Sequence, residues 1–276
     1  MTAHAGEEPA RWPRPAAPAR TVEGPLAAVL YASRQPDSVL LLHSLGLDRH
    51  IWLPLVDVLA TRVAVMALDL PGHGASPSAS APTIEAMADH VVATMNAAGL
   101  QQAAIVGLSF GGSVAQAVAV RHPERVRALA LLDTTAYYGD GAPRTWAGRV
   151  ERARHEGLPA LSTFQLERWF SDRFRGRRPD LCDAVSALFA ATSLDGYADA
   201  CTALGVMDLR EGIASVRCPT VVVVGDLDLA TPVAHAEQIH RSVAGSRLHV
   251  LRGCKHLSVV ERPAAVIGLI ADTIGA

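Results

Sequence analysis

Short apolar runs alternate along the chain with longer segments of helical periodicity. Several of these runs are apolar at every position, which is typical of strands that are covered on both faces. The predicted strands are Val39–His43, Val63–Leu68, Ala103–Leu108, Ala128–Asp133, Thr220–Gly225 and Leu248–Leu251. Because helical segments separate the runs, the pattern predicts an α/β fold with a doubly wound, mostly parallel sheet.

Two of the intervening helices are well defined by the sequence. In Ile84–Ala98 the apolar residues recur every three or four positions along one face, and Thr83 and Gly99 are suitable residues for its start and end. The second helix, Phe110–Arg121, is expected to end before Pro123, because the residue that precedes a proline disfavours the helical backbone.

The alternation stops between residues 137 and 206. That segment contains helical patterns and no strand pattern: Arg149–Glu156, Leu161–Phe170, Leu181–Ala191 and Tyr197–Leu204. A helical insert within a doubly wound sheet predicts a cap over one edge of that sheet. We therefore divide the chain into a core of residues 21–136 and 207–276, a helical cap of residues 137–206 and an N-terminal tail of residues 1–20.

The predicted tail is rich in Ala, Pro and Arg and has no apolar stretch of the kind that a secretory signal contains. We expect this tail to be disordered. Elsewhere no window of about 18 uninterrupted apolar residues occurs, so no transmembrane helix is expected. These features predict a cytoplasmic protein that does not bind membranes.

Composition excludes further classes of protein. Hydrophobic residues make up 50% of the 276 residues and charged residues 19%, which is enough apolar material for a sizeable core. The net charge is −2 and the arginines are scattered, so no nucleic-acid partner is expected. The four cysteines lie far apart, which argues against a zinc site or a disulfide scaffold. We expect no metal and no cofactor.

The segment Gly107–Gly111 has the form G-x-S-x-G and lies between a predicted strand and a predicted helix. A sharp strand-to-helix turn of this kind exposes its central serine at the edge of the sheet, and small neighbours are needed so that nothing collides there. The sequence therefore predicts Ser109 as a nucleophile.

A serine nucleophile needs a base, and the base needs an acid that orients it. In folds with this turn the chain order is serine, acid, histidine, so His256, just beyond the last predicted strand, is the predicted base. We favour Asp228 as the acid because it follows the strand before that one. Asp226, as a possible turn residue, and Asp133, at the end of an earlier strand, remain alternatives.

Two backbone N–H groups are candidates for an oxyanion hole. Phe110 directly follows the predicted nucleophile, and Leu45 lies in the loop after the first predicted strand, where such folds place the second donor. His73 lies in a Gly-rich turn, Asp69–Ser76, and is interpreted as structural.

Arginine is enriched in the predicted cap. Between Arg144 and Arg178 there are nine arginines and four acidic residues. One explanation is a solvated helix face. The other is that a guanidinium group binds a substrate carboxylate in bidentate fashion, for which the candidates are Arg149 and Arg168, next to Trp146 and Trp169.

From about Thr21 onward the chain resembles the α/β-hydrolase family, and within it most resembles the 3-oxoadipate enol-lactonases of aromatic catabolism. The residues that carry the resemblance are His43–Gly46, Asp69–Ser76, Gly107–Gly112, Gly225–Pro232 and Lys255–Glu261 in the core, and Trp146, Arg149, Arg154, Glu156–Gly157, Arg168–Phe170, Gly196–Tyr197, Cys201 and Asp208–Arg210 in and beside the cap. The resemblance implies an α/β-hydrolase fold with an inserted helical cap. It also implies hydrolysis of an enol-lactone to 3-oxoadipate by Ser109, Asp228 and His256 without a cofactor. The expected partner is therefore a small carboxylate-bearing lactone or ester.

Other functions remain open. The same three residues suit a C–C bond hydrolase or an esterase that tailors secondary metabolites, and a non-catalytic ligand-binding homologue would share the fold. His43, Pro71 and Phe110 also differ from the residues usual in the enol-lactonases. The sequence thus predicts a hydrolase and leaves its substrate to be decided.

Overall fold

The computed structural model describes residues 19–31, 37–78 and 82–275. Of the predicted N-terminal tail, residues 1–18 lie outside the described residues, whereas Ala19 and Arg20 belong to the first strand, where they pair with Tyr31 and Leu30. Among the described residues no helix is long and apolar enough to cross a membrane.

A single sheet of eight strands forms the centre of the described structure. The strands are β1 (Ala19–Val22), β2 (Ala28–Tyr31), β3 (Ser38–Leu42), β4 (Ala64–Leu68), β5 (Ala103–Leu108), β6 (Val126–Leu132), β7 (Thr220–Gly225) and β8 (Arg247–Leu251). Their order across the sheet is β1-β2-β4-β3-β5-β6-β7-β8. The strands from β3 to β8 are parallel, and β1 and β2 add an antiparallel edge that the sequence pattern did not predict.

Helices precede or follow almost every strand. They are α1 (Leu53–Leu59), α2 (Ile84–Ala98), α3 (Phe110–Arg121), α4 (Ala142–Glu156), α5 (Ser162–Trp169), α6 (Asp172–Arg177), α7 (Pro179–Ala191), α8 (Leu194–Val206), α9 (Arg210–Ile213), α10 (Val233–Ser242), α11 (Ser258–Glu261) and α12 (Pro263–Ile274). The bounds predicted for α2 and α3 are confirmed. The Thr83 hydroxyl accepts the Ala86 N–H at the start of α2, and Gly99 ends it with a φ of 77°.

The core is built on the central strands. Every residue of β3, β5 and β7 is buried, as expected for strands that are apolar on both faces. Helix α1 packs with α12, and α12 contacts β6 and β7, whereas α3 packs with α2 and α9 and contacts β5 and β6. These two groups of helices are the layers of a doubly wound sheet, so the predicted fold class is confirmed.

Helices α4 to α8 form a compact cap between β6 and β7, in which α4 packs along α8. The chain enters and leaves the cap at one point, where Tyr137 and Asp208 form an isolated β-bridge. The Leu209 N–H also donates a hydrogen bond of 3.0 Å to the Ala136 carbonyl. This closure places the cap over the carboxyl ends of the parallel strands, because the chain leaves the carboxyl end of β6 and returns to the same point before α9 leads it to β7.

Candidate active site

Ser109 occupies a strained turn between β5 and α3. Its φ of 53° and ψ of −113° lie in a region that residues other than glycine rarely adopt. A Cβ atom at Gly107 would collide with the backbone of Gly111, and one at Gly111 would collide with the backbone of Leu42. The glycines of the G-x-S-x-G motif are therefore required for the turn to form.

The structure brings together Ser109, His256 and Asp228, which the sequence places far apart. Ser109 Oγ lies 2.8 Å from His256 Nε2, and His256 Nδ1 lies 2.8 Å from Asp228 Oδ2. All three residues are at most 5% exposed. They come from the loops after β5, β8 and β7, which meet at one edge of the sheet because these strands are parallel.

The Asp228 carboxylate is held in place by its own loop. Its Oδ1 accepts the N–H groups of Ala230 at 2.7 Å and Thr231 at 3.0 Å, and its Oδ2 accepts the Thr231 hydroxyl at 2.8 Å. Burial raises the pKa of this carboxyl, but the contact with His256 and the donors from Thr231 outweigh it, so the pKa is lower than usual. Asp228 is therefore a fixed negative charge beside the imidazole.

The imidazole of His256 is oriented by that charge. Burial disfavours its protonated form, but the Asp228 carboxylate favours it more strongly, so the pKa of His256 is above its ordinary value of 6.5. Since Asp228 accepts a hydrogen bond from Nδ1, the neutral ring carries its proton on Nδ1. The lone pair of Nε2 then faces the Ser109 hydroxyl, as a general base requires.

The two alternative acids do not contact the imidazole. Asp133 directly follows the last residue of β6 and has a φ of 46°, and its two oxygens accept the N–H groups of Gly225 at 3.1 Å and Ser258 at 3.0 Å. Asp226 is a turn residue, because its Oδ1 accepts the Gly253 N–H at 2.7 Å.

Asp133 is nevertheless close enough to influence the site. Burial, followed by repulsion from the Asp228 carboxylate, raises its pKa to about 8. Its two hydrogen bonds join the loop that leads to Asp228 to the loop that carries His256. Asp133 therefore braces the two loops.

The predicted oxyanion donors lie beside Ser109. The Phe110 N–H is the first of helix α3, where no intrahelical acceptor exists, and Leu45 lines the same cavity as Ser109 and His256. Within the described ranges, neither N–H group donates a hydrogen bond to another residue. Both are thus available to an oxygen that develops negative charge near Ser109 Oγ.

A cavity of about 270 Å³ opens above Ser109 between the core and the cap. Its walls include all four cap residues predicted to bind substrate, Trp146, Arg149, Arg168 and Trp169. Tyr138, in the connection from β6 to α4, and Gln165, on α5, also line it. Neither was predicted, because no motif marks that connection or the side of α5 that faces the core.

The two arginines of the cavity are placed differently. The Arg149 guanidinium lies 4.7 Å from the centre of the Trp146 ring, whereas Arg168 Nη2 donates a hydrogen bond of 3.0 Å to the Leu229 carbonyl. Burial, followed by the nearby Arg149, lowers the pKa of Arg168. In the part of the chain that the structure describes, neither group forms a salt bridge with a carboxylate. The cavity therefore presents two guanidinium groups that are not in direct contact with a carboxylate.

The cap is fastened to the loop of His256 by a seam of hydrogen bonds. Glu261 accepts the Ser171 hydroxyl at 2.6 Å, the Ser171 N–H at 3.0 Å and the Lys255 N–H at 2.8 Å. The Leu257 N–H donates to the Trp169 carbonyl at 3.1 Å. One end of the cap and the residues flanking His256 thus form one connected unit.

Over the described residues, no group of three or more His, Cys, Asp or Glu side chains is arranged to hold a metal ion.

Residues 39–269 match the model of the Alpha/beta hydrolase family. The chain belongs to this family. The resemblance predicted from the motifs is confirmed, and this α/β-hydrolase has relatives among both lactonases and esterases.

Three known proteins illustrate the similarity to both lactonases and esterases. The 3-oxoadipate enol-lactonase 1 of Acinetobacter baylyi is 29% identical over 234 residues, which cover 84% of this chain and 86% of that protein. A pimeloyl-[acyl-carrier protein] methyl ester esterase of Neisseria meningitidis is 34% identical over 256 residues, covering 87% and 95%. The crystal structure of the enol-lactonase from Burkholderia xenovorans superposes with a TM-score of 0.87 at 32% identity, covering 94% of this chain and 100% of that one.

Proposed function

We propose that this α/β-hydrolase is a serine hydrolase that cleaves a lactone or ester bearing a carboxylate. Ser109 is the nucleophile, His256 the general base and Asp228 the acid that orients it. The observation that carries the proposal is the unbroken line of hydrogen bonds from Ser109 Oγ through His256 to Asp228, beside a cavity lined by two guanidinium groups that form no salt bridge with a described carboxylate.

In the first half of the reaction, Ser109 Oγ attacks the carbonyl carbon while His256 Nε2 accepts the hydroxyl proton. The oxyanion that forms accepts hydrogen bonds from the N–H groups of Leu45 and Phe110. The imidazolium, stabilised by the Asp228 carboxylate, then donates its proton to the leaving oxygen. In a lactone this oxygen stays attached to the acyl group, so the ring opens and an acyl-enzyme results.

In the second half, a water molecule takes the place of Ser109 as nucleophile. His256 accepts its proton, the oxyanion forms again in the same hole, and the proton returns to Ser109 Oγ as the ester bond to the enzyme breaks. The reaction needs no metal and no cofactor at any step.

As substrate we propose the enol-lactone of 3-oxoadipate. Its carboxylate would pair with Arg149 or Arg168, neither of which forms a salt bridge among the described residues, and Trp146 would shield the pair from water. The enol released by ring opening tautomerises to the 3-oxo acid. Similarity to two enol-lactonases of Acinetobacter baylyi, at 29% and 30% identity, supports this substrate.

A second substrate class is a methyl ester at the end of an acyl chain carried by an acidic protein. A separate surface cavity of about 460 Å³ is lined by Arg173, Arg177 and Arg262, which form no salt bridge with any described carboxylate. The Neisseria meningitidis esterase, 34% identical, is named for the methyl ester of a pimeloyl chain on an acyl-carrier protein. This alternative substrate would react at Ser109 in the same way. It differs in the carrier protein, which would have to approach the cap.

The decisive assay compares turnover of the enol-lactone with that of a carrier-bound methyl ester and of a small neutral aryl ester. The enol-lactone should have a kcat/KM higher than the neutral ester by about two orders of magnitude, corresponding to one buried charge pair. Preference for the carrier-bound ester would favour the second substrate class. If all three remain intact, the protein is a non-catalytic homologue or acts on another bond, such as C–C.

Substitutions at Ser109 and His256 test the roles of these two residues. Ser109→Ala and His256→Ala should each lower kcat by several orders of magnitude, and the double variant should be little worse than either, because residues that act as a unit are strongly non-additive. If the loss in ln kcat of the double variant equalled the sum of the two single losses, Ser109 and His256 would not act together.

A further inference from the structure

The turn Ser44–Leu47, which carries the proposed oxyanion donor Leu45, is closed by its own hydrogen bonds. The Leu47 N–H donates to the Ser44 carbonyl at 3.2 Å. His43 Nδ1 lies 2.8 Å from the same carbonyl, and His43 Nε2 accepts the Leu70 N–H at 2.8 Å, so the neutral ring donates from Nδ1. These contacts fix the first half of the turn.

On the core side the turn rests on His73. This buried ring accepts the Gly46 N–H at Nε2, at 3.1 Å, and lies 3.0 Å from the Pro71 carbonyl at Nδ1, which carries the proton. Its centre is 5.6 Å from that of the Phe110 ring, whose residue provides the second proposed oxyanion donor. Burial lowers the pKa of His73 to about 3, so Nε2 remains an acceptor at neutral pH.

On the cap side the turn is held by the end of α7. Thr192, the residue after this helix, donates its hydroxyl to the Gly46 carbonyl at 2.8 Å, and its oxygen is 3.2 Å from the Leu188 carbonyl of its own helix. Gly46 has a φ of 70°, and a Cβ atom there would lie 2.7 Å from the Phe189 ring. The cap therefore touches the turn by a hydrogen bond and by close packing.

The two supports act on opposite ends of one residue. His73 binds the N–H of Gly46, and Thr192 binds its carbonyl. The peptide between Leu45 and Gly46 and the next peptide are thus both fixed, while the Leu45 N–H is left without an acceptor among the described residues. An oxyanion hole works by such preset donors, which need no rearrangement when charge develops.

We propose that His73 and Thr192 are positioning residues for the oxyanion hole, and that through Thr192 the cap contributes to kcat as well as to substrate binding. The inference rests on the proposed function, because it assigns the Leu45 N–H to the reaction of Ser109. It goes further in coupling a cap helix to the chemical step.

The test is Thr192→Val, with Thr202→Val as a matched control. Both substitutions remove a cap hydroxyl that bonds the carbonyl four residues earlier, but among the described residues the Thr202 hydroxyl forms a hydrogen bond only with the Ala198 carbonyl of its own helix. With a small neutral aryl ester, Thr192→Val should lower kcat about fivefold, the equivalent of one net hydrogen bond, and leave KM within about twofold. Thr202→Val should change neither, and Thr192→Ser should restore kcat.

Inhibition by an aryl trifluoromethyl ketone gives a second readout. Its adduct with Ser109 places an oxyanion in the hole, so Thr192→Val should weaken inhibition by about the factor by which kcat falls. His73→Gln, which keeps an acceptor near Gly46, should retain more activity than His73→Met, provided that both fold with the circular dichroism spectrum of the wild type.

The possible outcomes separate the two proposals. If Thr192→Val and Thr202→Val behave alike, or if Thr192→Val raises KM at constant kcat, the positioning role is overturned while the serine mechanism stands. If Ser109→Ala retains full activity, the proposed function itself fails. A fall in kcat for Thr192→Val with rescue by serine supports the coupling of cap and oxyanion hole.

Discussion

Asp228 Oδ2 lies 2.8 Å from His256 Nδ1, although another buried aspartate ends the neighbouring strand of the same sheet. That aspartate, Asp133, uses both oxygens for the N–H groups of Gly225 and Ser258 and thus has no oxygen free of a backbone donor. The two carboxyl groups therefore have different roles. One faces the imidazole, and the other holds the loops in which the imidazole and its partner lie.

This difference in roles predicts unequal effects of three amide substitutions. Asp228→Asn should lower kcat by about 10³- to 10⁴-fold, because the imidazole loses the partner that fixes its tautomer. Asp226→Asn should be nearly neutral in kcat, since its oxygen serves a turn. Asp133→Asn should chiefly lower the melting temperature, because one of its two N–H contacts is lost. Steady-state kinetics and thermal unfolding of each variant check this, and a kcat for Asp133→Asn as low as that for Asp228→Asn would contradict it.

The pH dependence of activity should follow His256. As a general base it acts only when neutral, so kcat/KM should rise with pH through a midpoint above 6.5, in line with its raised pKa. In Asp228→Asn the favourable carboxylate is gone and burial remains, so the midpoint of the residual activity should move to lower pH. A pH profile of both proteins measures the shift. An unchanged or higher midpoint would show that Asp228 is not the group that raises the pKa.

The two arginines of the cavity should respond differently to substitution. Arg149→Ala should weaken kcat/KM for an anionic lactone by about 2–4 kcal/mol and barely affect a neutral ester, which makes no use of that charge. Arg168→Ala should impair both substrates, because Arg168 also binds the Leu229 carbonyl beside Asp228. Arg144→Ala, on the same helix as Arg149 but outside the cavity, is the control. Equal losses for Arg149→Ala on both substrates would mean that the residue only supports the cap.

The strained turn at Ser109 predicts a difference in stability between two inactive variants. Ser109→Gly and Ser109→Ala both remove the hydroxyl, but only glycine adopts a φ of 53° without strain. The relief of strain exceeds the extra entropy of an unfolded glycine, so Ser109→Gly should be about 1 kcal/mol more stable than Ser109→Ala. Differential scanning calorimetry should show a melting temperature about 2–4 °C higher for the glycine variant. Equal temperatures would mean that the turn costs little.

Strands with every residue apolar could be predicted from sequence, and the edge of the sheet could not. The predicted strands in β3 to β8 are confirmed with small shifts at their ends. Strand β1 is only four residues long and mostly exposed, so it shows no clear hydrophobic pattern, and β2, although apolar, is equally short. Their order in the sheet depends on antiparallel pairing with each other and with β4, which local sequence does not encode.

The candidate site, too, could be predicted from the sequence only in part. The motif around Ser109 and the chain order of such folds were enough to name the residues that the structure brings together, although their roles stay predictions until measured. No sequence pattern indicated the hydrogen bond from the Thr231 hydroxyl to Asp228 or the one from the Thr192 hydroxyl to the Gly46 carbonyl. Each of these contacts depends on a distance of under 3 Å across a loop or between core and cap, and such distances follow from the packed fold.

The seam between the cap and the loop of His256 restricts how a substrate can enter. If the cap swung away at helix α5, either the bonds from Glu261 to Ser171 and from Leu257 to Trp169 would break, or the loop of His256 would move with the cap. The α5 end of the cap and the loop of His256 are therefore mechanically coupled. A motion of the cap that keeps His256 aligned with Ser109 has to leave these bonds intact.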